Sequence, residues 1–158
     1  MDALTAQLRE TWLINHRVNL LLIDELIEEA LAHTLSKRGG GTVGHQLAHL
    51  YNIRFWKLER FDKSLIQDLA TIKAEDDKTK ALLRNAHVDS AERVAQLIET
   101  SLQAGGHVKG FKRGLLPLIG YFLAHDAHYR GNILLTLKHS GFKLSNALKY
   151  GIWEWNTV

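Results

Sequence analysis

The sequence predicts an all-α fold: an up-down four-helix bundle with a long crossover connection, in a single domain spanning residues 1–158. Three observations carry this. There is one proline in 158 residues, so little interrupts a helix, whereas a many-stranded chain needs proline and glycine for its turns. Leu, Ala, Lys, Glu, Gln and Arg dominate, and these residues favour helix. Apolar residues recur every three or four positions, and no run alternates β-branched residues as a strand does. The hydrophobic share of 46% and the length suffice for a core without disulfides.

Each element has its own signals. The first helix is expected from about Leu4 to Leu31, because Leu4, Leu8, Trp12, Val18, Leu22 and Leu26 form one stripe. Asn15 and Asn19 fall on that stripe, and buried amides need partners. The break at 35–41 ends in three glycines, which a helix does not continue cheaply. Thr42 is a plausible N-cap for a second helix reaching Phe61. Residues 62–79 are polar and acidic and read as the crossover, with a short helical stretch at 64–72. The third helix is expected from Asp89 or Ser90 to Ala104, with Asp89 and Glu92 as a capping box. Residues 107–114 form a basic loop with spaced glycines. The fourth helix runs from Leu115 to Ser140, with Pro117 tolerated in its first turn. A short last helix at 145–150 leads into a Trp-Glu-Trp segment.

Composition narrows the chemistry. With no cysteine there is no thiolate nucleophile, iron–sulfur cluster or Cys-containing zinc site, and a reducing, cytoplasmic setting is expected. No segment approaches the roughly 20 apolar residues of a membrane span, and the N-terminus lacks a basic signal-peptide start. Residues 1–104 hold 13 Lys/Arg against 15 Asp/Glu, net −2, and residues 105–158 hold 7 against 2, net +5. Lys109, Lys112, Arg113, Lys138 and Lys143 could therefore attract an anion, but nucleic-acid binding is the weakest reading, because no recognition module accompanies them.

Metal or acid–base chemistry must then use carboxylates and the nine histidines. His45 and His49 are four apart, and His125 and His128 three apart, spacings that share a helix face. Two helices of a bundle can gather such imidazoles around one ion, and imidazole suits zinc, nickel, copper or iron. At about 100° per residue, His125 and Tyr129 turn inward on the fourth helix with Asp126 beside them. Asp126 could pair with Arg130 or orient an imidazole. Without a metal, these histidines are core or surface residues satisfied by their neighbours.

Two segments carry a resemblance. Residues 42–54 (TVGHQLAHLYNIR) and 122–132 (FLAHDAHYRGN) resemble the helix-two and helix-four signatures of the DinB family, a group of metalloenzyme-like four-helix bundles. The glycine-rich approach to residue 42 and the terminal Trp-Glu-Trp are similar too, so the resemblance covers nearly the whole chain. It implies a bundle with a long crossover, a homodimer, and three histidines around one divalent metal (zinc, nickel or iron). The first two positions match His49 and His125. The third falls at Tyr129, where the family has histidine. Three ligand sets are open: His49/His125/Tyr129, His49/His125/His128 and His45/His49/His125. Asn52, Arg54 and Arg130 could brace the bundle or hold an anion. The resemblance implies a metal-dependent hydrolase or thiol S-transferase acting on a small molecule, with Tyr129 and Asp126 as catalytic candidates. The alternative is a non-catalytic bundle that binds a small ligand or regulates.

Overall fold

A computed structural model describes residues 3–36 and 40–158. Those residues form five α-helices: α1 (Ala3–Glu25), α2 (Val43–Phe61), α3 (Lys80–Gln103), α4 (Leu115–His139) and α5 (Asn146–Gly151). Short 3-10 helices occupy Glu28–Ala32 and Lys63–Ile66. Among the described residues no helix is long and apolar enough to cross a membrane. Lys37, Arg38 and Gly39, from the expected glycine-rich break, lie outside the described residues.

The four long helices make the bundle. α1 and α2 each pack on α3 and α4 and scarcely meet one another. Two apolar layers fill the interior. Leu22, Leu26, Leu47, Leu50, Leu83 and Ile133 belong to one, and Trp12, Leu58, Val94, Ile98, Leu115 and Phe122 to the other. Between them lies a buried polar layer with a contribution from every long helix: Asn15 and Asn19, Arg54, His87 and Ser90, and Asp126.

The order in which each helix crosses these layers gives its direction. α1 and α4 pass from the Trp12 layer to the Leu22 layer, and α2 and α3 pass the opposite way. Strict up-down alternation therefore fails at one step. α2 and α3 run in parallel, and residues 62–79 must return the chain along the bundle between them. Two residues of α2 pin this crossover. The Tyr51 hydroxyl donates to the Ala70 carbonyl at 2.7 Å. The Asn52 amide donates to the Ile72 carbonyl at 2.8 Å and accepts from the Ile72 N–H at 2.9 Å. Asn52 thus braces the bundle, the first of the two roles open to it.

Several boundaries differ from expectation. α1 stops at Glu25, and a 3-10 helix carries the apolar pattern on to Ala30 and Leu31. α3 starts at Lys80, well before Asp89. Thr79 is its N-cap and accepts from the Leu82 N–H at 3.2 Å. Lys80 ties this start to α1 through Nζ bonds to the carbonyls of Asp24 and Leu26. Asp89 and Glu92 therefore lie inside a helix and form no capping box. Thr42 caps α2 as expected, accepting from the His45 N–H at 3.2 Å.

At the centre of the polar layer is the Asp126 carboxylate, 1% exposed. Its Oδ2 accepts from Asn15 Nδ2 at 2.7 Å, Asn19 Nδ2 at 2.7 Å and Arg54 Nη2 at 2.8 Å. Burial alone would raise its pKa, but the Arg54 charge and these three donors outweigh it and hold the carboxyl below its ordinary value. Arg54 is completely buried. Its guanidinium lies 4.9 Å from the Trp12 ring centroid and also reaches the His87 carbonyl and Ser90 Oγ at 3.4 Å. Arg130 does not pair with Asp126 directly. Its Nη1 donates to Asn15 Oδ1 at 2.8 Å and Asn19 Oδ1 at 2.7 Å, so the two amides relay between Arg130 and the carboxylate.

Removing one partner of a buried pair strands the other charge, which costs about 3–5 kcal/mol. Asp126→Ala should therefore lower unfolding stability in urea by about that amount, whereas a loss below about 1 kcal/mol would place the pair at a wet surface. His16 and His87 set a second expectation. Burial, reinforced by the Arg54 charge, depresses both imidazoles from 6.5 to about 3. The unfolded chain protonates them first as the pH falls. Their stabilising contribution is complete above 6.5 and is lost progressively towards 3. At about 1.4 kcal/mol per unit, each should cost about 2 kcal/mol between pH 7 and pH 5. Thermal unfolding across that range checks this, and a flat melting temperature would contradict it.

Candidate functional site

Beside the polar layer, α2 and α4 bring together the three side chains matched to the resemblance. The ring centroids of His49 and His125 are 5.5 Å apart, those of His49 and Tyr129 4.9 Å, and those of His125 and Tyr129 5.0 Å. The helical repeat explains half of this triangle, because His125 and Tyr129 are four apart on α4 and stack along one face. His49 comes from the facing helix. The turning of α4 is set by Asp126, which points into the core and leaves its neighbour His125 along the seam with α2.

The two imidazoles are prepared to act as neutral bases or ligands. Burial lowers the pKa of His49. Burial also lowers that of His125, an effect which the negative charge of Asp126 partly offsets. His125 Nδ1 is buried with no hydrogen-bond partner, an unusual state for a polar atom in a core. A neutral imidazole nitrogen carries a lone pair and can accept a proton or bind a cation. Two imidazoles and a phenol thus lie side by side on this seam, and neutral imidazole is a donor type that suits zinc, nickel or iron. Among the described residues, no group of three or more His, Cys, Asp or Glu side chains is arranged to hold a metal. Any such centre here depends on the tyrosine oxygen.

The other candidates are placed differently. His45 is exposed and its Nδ1 lies 2.8 Å from the capping hydroxyl of Thr42. It belongs to the start of α2 and not to the His49 cluster. His128 is exposed, stands edge-on to Tyr129 at 5.2 Å and has its Nε2 3.2 Å from Asn132 Nδ2. It flanks the triangle. Asp126, a catalytic and imidazole-orienting candidate, is engaged by Asn15, Asn19 and Arg54. Its role is in the core, because an enclosed, ion-paired carboxylate is poorly placed for proton transfer to a substrate. Arg54 likewise braces the bundle and holds no external anion.

Two further residues extend the same seam. The Tyr121 ring stacks on His125 with centroids 5.8 Å apart at 22°. Lys57 Nζ lies 4.8 Å from the Tyr121 centroid, within the range of a cation–π contact. Burial and the nearby Tyr129 raise the Tyr121 pKa, so its hydroxyl stays protonated and can donate. The signal for Tyr121 was present in the sequence, since it precedes His125 by four residues. Lys57 follows His49 by eight residues and shares its face of α2.

Titrated by NMR without added metal, His49 and His125 should both protonate below pH 6.5, the direction that burial imposes. An imidazole titrating above that value would mean an open, solvated seam. The chain matches no family model, no curated protein and no solved structure.

Proposed function

We propose that this protein is a metal-dependent enzyme of the hydrolase or thiol S-transferase class, similar to the DinB family, with His49, His125 and Tyr129 holding one divalent ion. The observation that carries this reading is the convergence of those three rings within 5.5 Å of one another. The unpartnered Nδ1 of His125 supports it, as does the resemblance of residues 42–54 and 122–132. When bound, such an ion supplies Lewis acidity toward a water or a thiol. The chain's own groups do the rest. The neutral imidazoles offer lone pairs, Tyr121 offers a hydroxyl donor, and Lys57 gives the seam a positive charge for an anionic substrate group.

The tyrosine at position 129 favours a second reading, a non-catalytic bundle that binds a small ligand. A phenol with an ordinary pKa of about 10 is a weak zinc donor at neutral pH. Elemental analysis of untagged protein, followed by titration with zinc, nickel and iron(II), separates the two. The enzyme reading expects close to one equivalent of metal per chain, loss of binding in His49→Ala, and about 10-fold or more tighter zinc binding in Tyr129→His, the affinity scale on which donor changes act. Less than about 0.1 equivalent of each metal, with no uptake on titration, would leave only the second reading.

A further inference from the structure

The opposite flank of α4 carries a separate cleft of about 440 Å³. This is the size of a small-molecule site, which spans roughly 300–1,000 Å³. Its walls are the α4 side chains Leu123 and Leu134 and the C-terminal residues Ile152, Trp153 and Trp155. Its floor is made by small residues of α4, and a Cβ added at Gly131 would meet nothing within 4 Å. Trp153 is 78% exposed and Trp155 40% exposed, so two indole faces stand at the mouth with large parts of their surface in water.

The polar groups lining this apolar cleft are Asn15 and Arg130, and no carboxylate lines it. Arg130 reaches inward with Nη1 to the two asparagine oxygens. Its Nε and Nη2 have no hydrogen-bond partner among the described residues. The charge of the polar layer leaves Arg130 in surplus. The layer and its extension hold two guanidiniums, Arg54 and Arg130, against one carboxylate, Asp126, which is ion-paired with Arg54. The net positive charge therefore falls on the guanidinium at the cleft. A guanidinium with free N–H groups above apolar walls is matched by a carboxylate attached to an apolar body.

We propose that this cleft binds a small, flat apolar molecule bearing one carboxylate, with the anionic group on Arg130 and the apolar body against Trp153, Trp155 and Leu134. Arg130 would keep its bonds to Asn15 and Asn19 and present its remaining N–H groups outward. The indole rings would cover the ligand and lose their exposure to water.

The test titrates 1-naphthaleneacetate into the full chain, read by calorimetry and by tryptophan fluorescence, beside its uncharged analogue 1-naphthaleneethanol. Saturable binding of the carboxylate, tighter than the alcohol by about 10-fold or more, is expected from a charge-assisted bond. Gly131→Leu fills the floor while favouring helix, so it should fold and weaken the carboxylate about 10-fold or more. Arg130→Gln should remove the preference for the carboxylate over the alcohol. His49→Ala should leave binding unchanged, which keeps this site distinct from the α2–α4 seam whatever the metal titration gives. Equal affinity for the two probes would overturn the proposal, as would full affinity in Gly131→Leu or no saturation by 10 mM probe. Loss of binding in His49→Ala, or a second copy of the chain occluding the cleft in solution, would do the same.

Discussion

The buried ion pair between Arg54 and Asp126 is the constraint around which the bundle is arranged. A guanidinium and a carboxylate with 0% and 1% exposed side chains are tolerable only if each finds further partners, since desolvation of an ion costs several kcal/mol. The chain meets this from four helices. α1 supplies two amides, α2 the guanidinium, α3 a carbonyl and a hydroxyl, and α4 the carboxylate. Trp12 closes one face of Arg54 and is itself tied down by a bond from its Nε1 to the Ala91 carbonyl at 2.9 Å. Purely apolar layers allow helices to slide by a turn or rotate with modest penalty. A single polar layer with directional bonds does not, and it sets register and rotation together.

The candidate site inherits its geometry from that layer. His125 and Tyr129 flank Asp126 on α4, and His49 lies one and a half turns before Arg54 on α2. Once Arg54 and Asp126 are joined at 2.8 Å, the seam where the three rings meet has little freedom left. The same layer explains the asymmetry between the two flanks of α4. One flank presents neutral, partly buried imidazoles with an unpartnered nitrogen. The other presents a guanidinium whose charge no neighbouring carboxylate cancels. A charged layer that is neutralised internally by only one acid distributes its excess to whichever side reaches the surface.

Much of this was legible residue by residue. Thr42 as a cap, the end of α2 at Phe61, the start of α4 at Leu115 and the inward turn of His125, Asp126 and Tyr129 follow from local chemistry and the helical repeat. The start of α3 did not. Residues 80–88 carry only Leu83 and His87 as core positions, and one buried apolar residue in nine sets no helical period. His87 is completely buried, with Nε2 3.0 Å from the Leu47 carbonyl. A histidine buried as a neutral group looks the same in sequence as one in water. The partner of Asp126 was missed for a related reason. The i,i+4 rule offers Arg130, whereas the direct bond comes from Arg54, 72 positions away.

By itself, the sequence determined the helical class, four long helices, the residues able to act chemically, and the absence of any cysteine nucleophile or ligand. These depend on composition and on periodicity along one chain. Tertiary structure decided which helices run in parallel, which carboxylate and guanidinium pair, and which histidines meet Tyr129 and which face solvent. The physical reason is that local propensity acts over a few residues, while burial of charge is settled across the bundle. An ion pair in the core has no local signature, yet it draws two amides from α1 and a carbonyl and a hydroxyl from α3 and so sets how the four long helices are arranged.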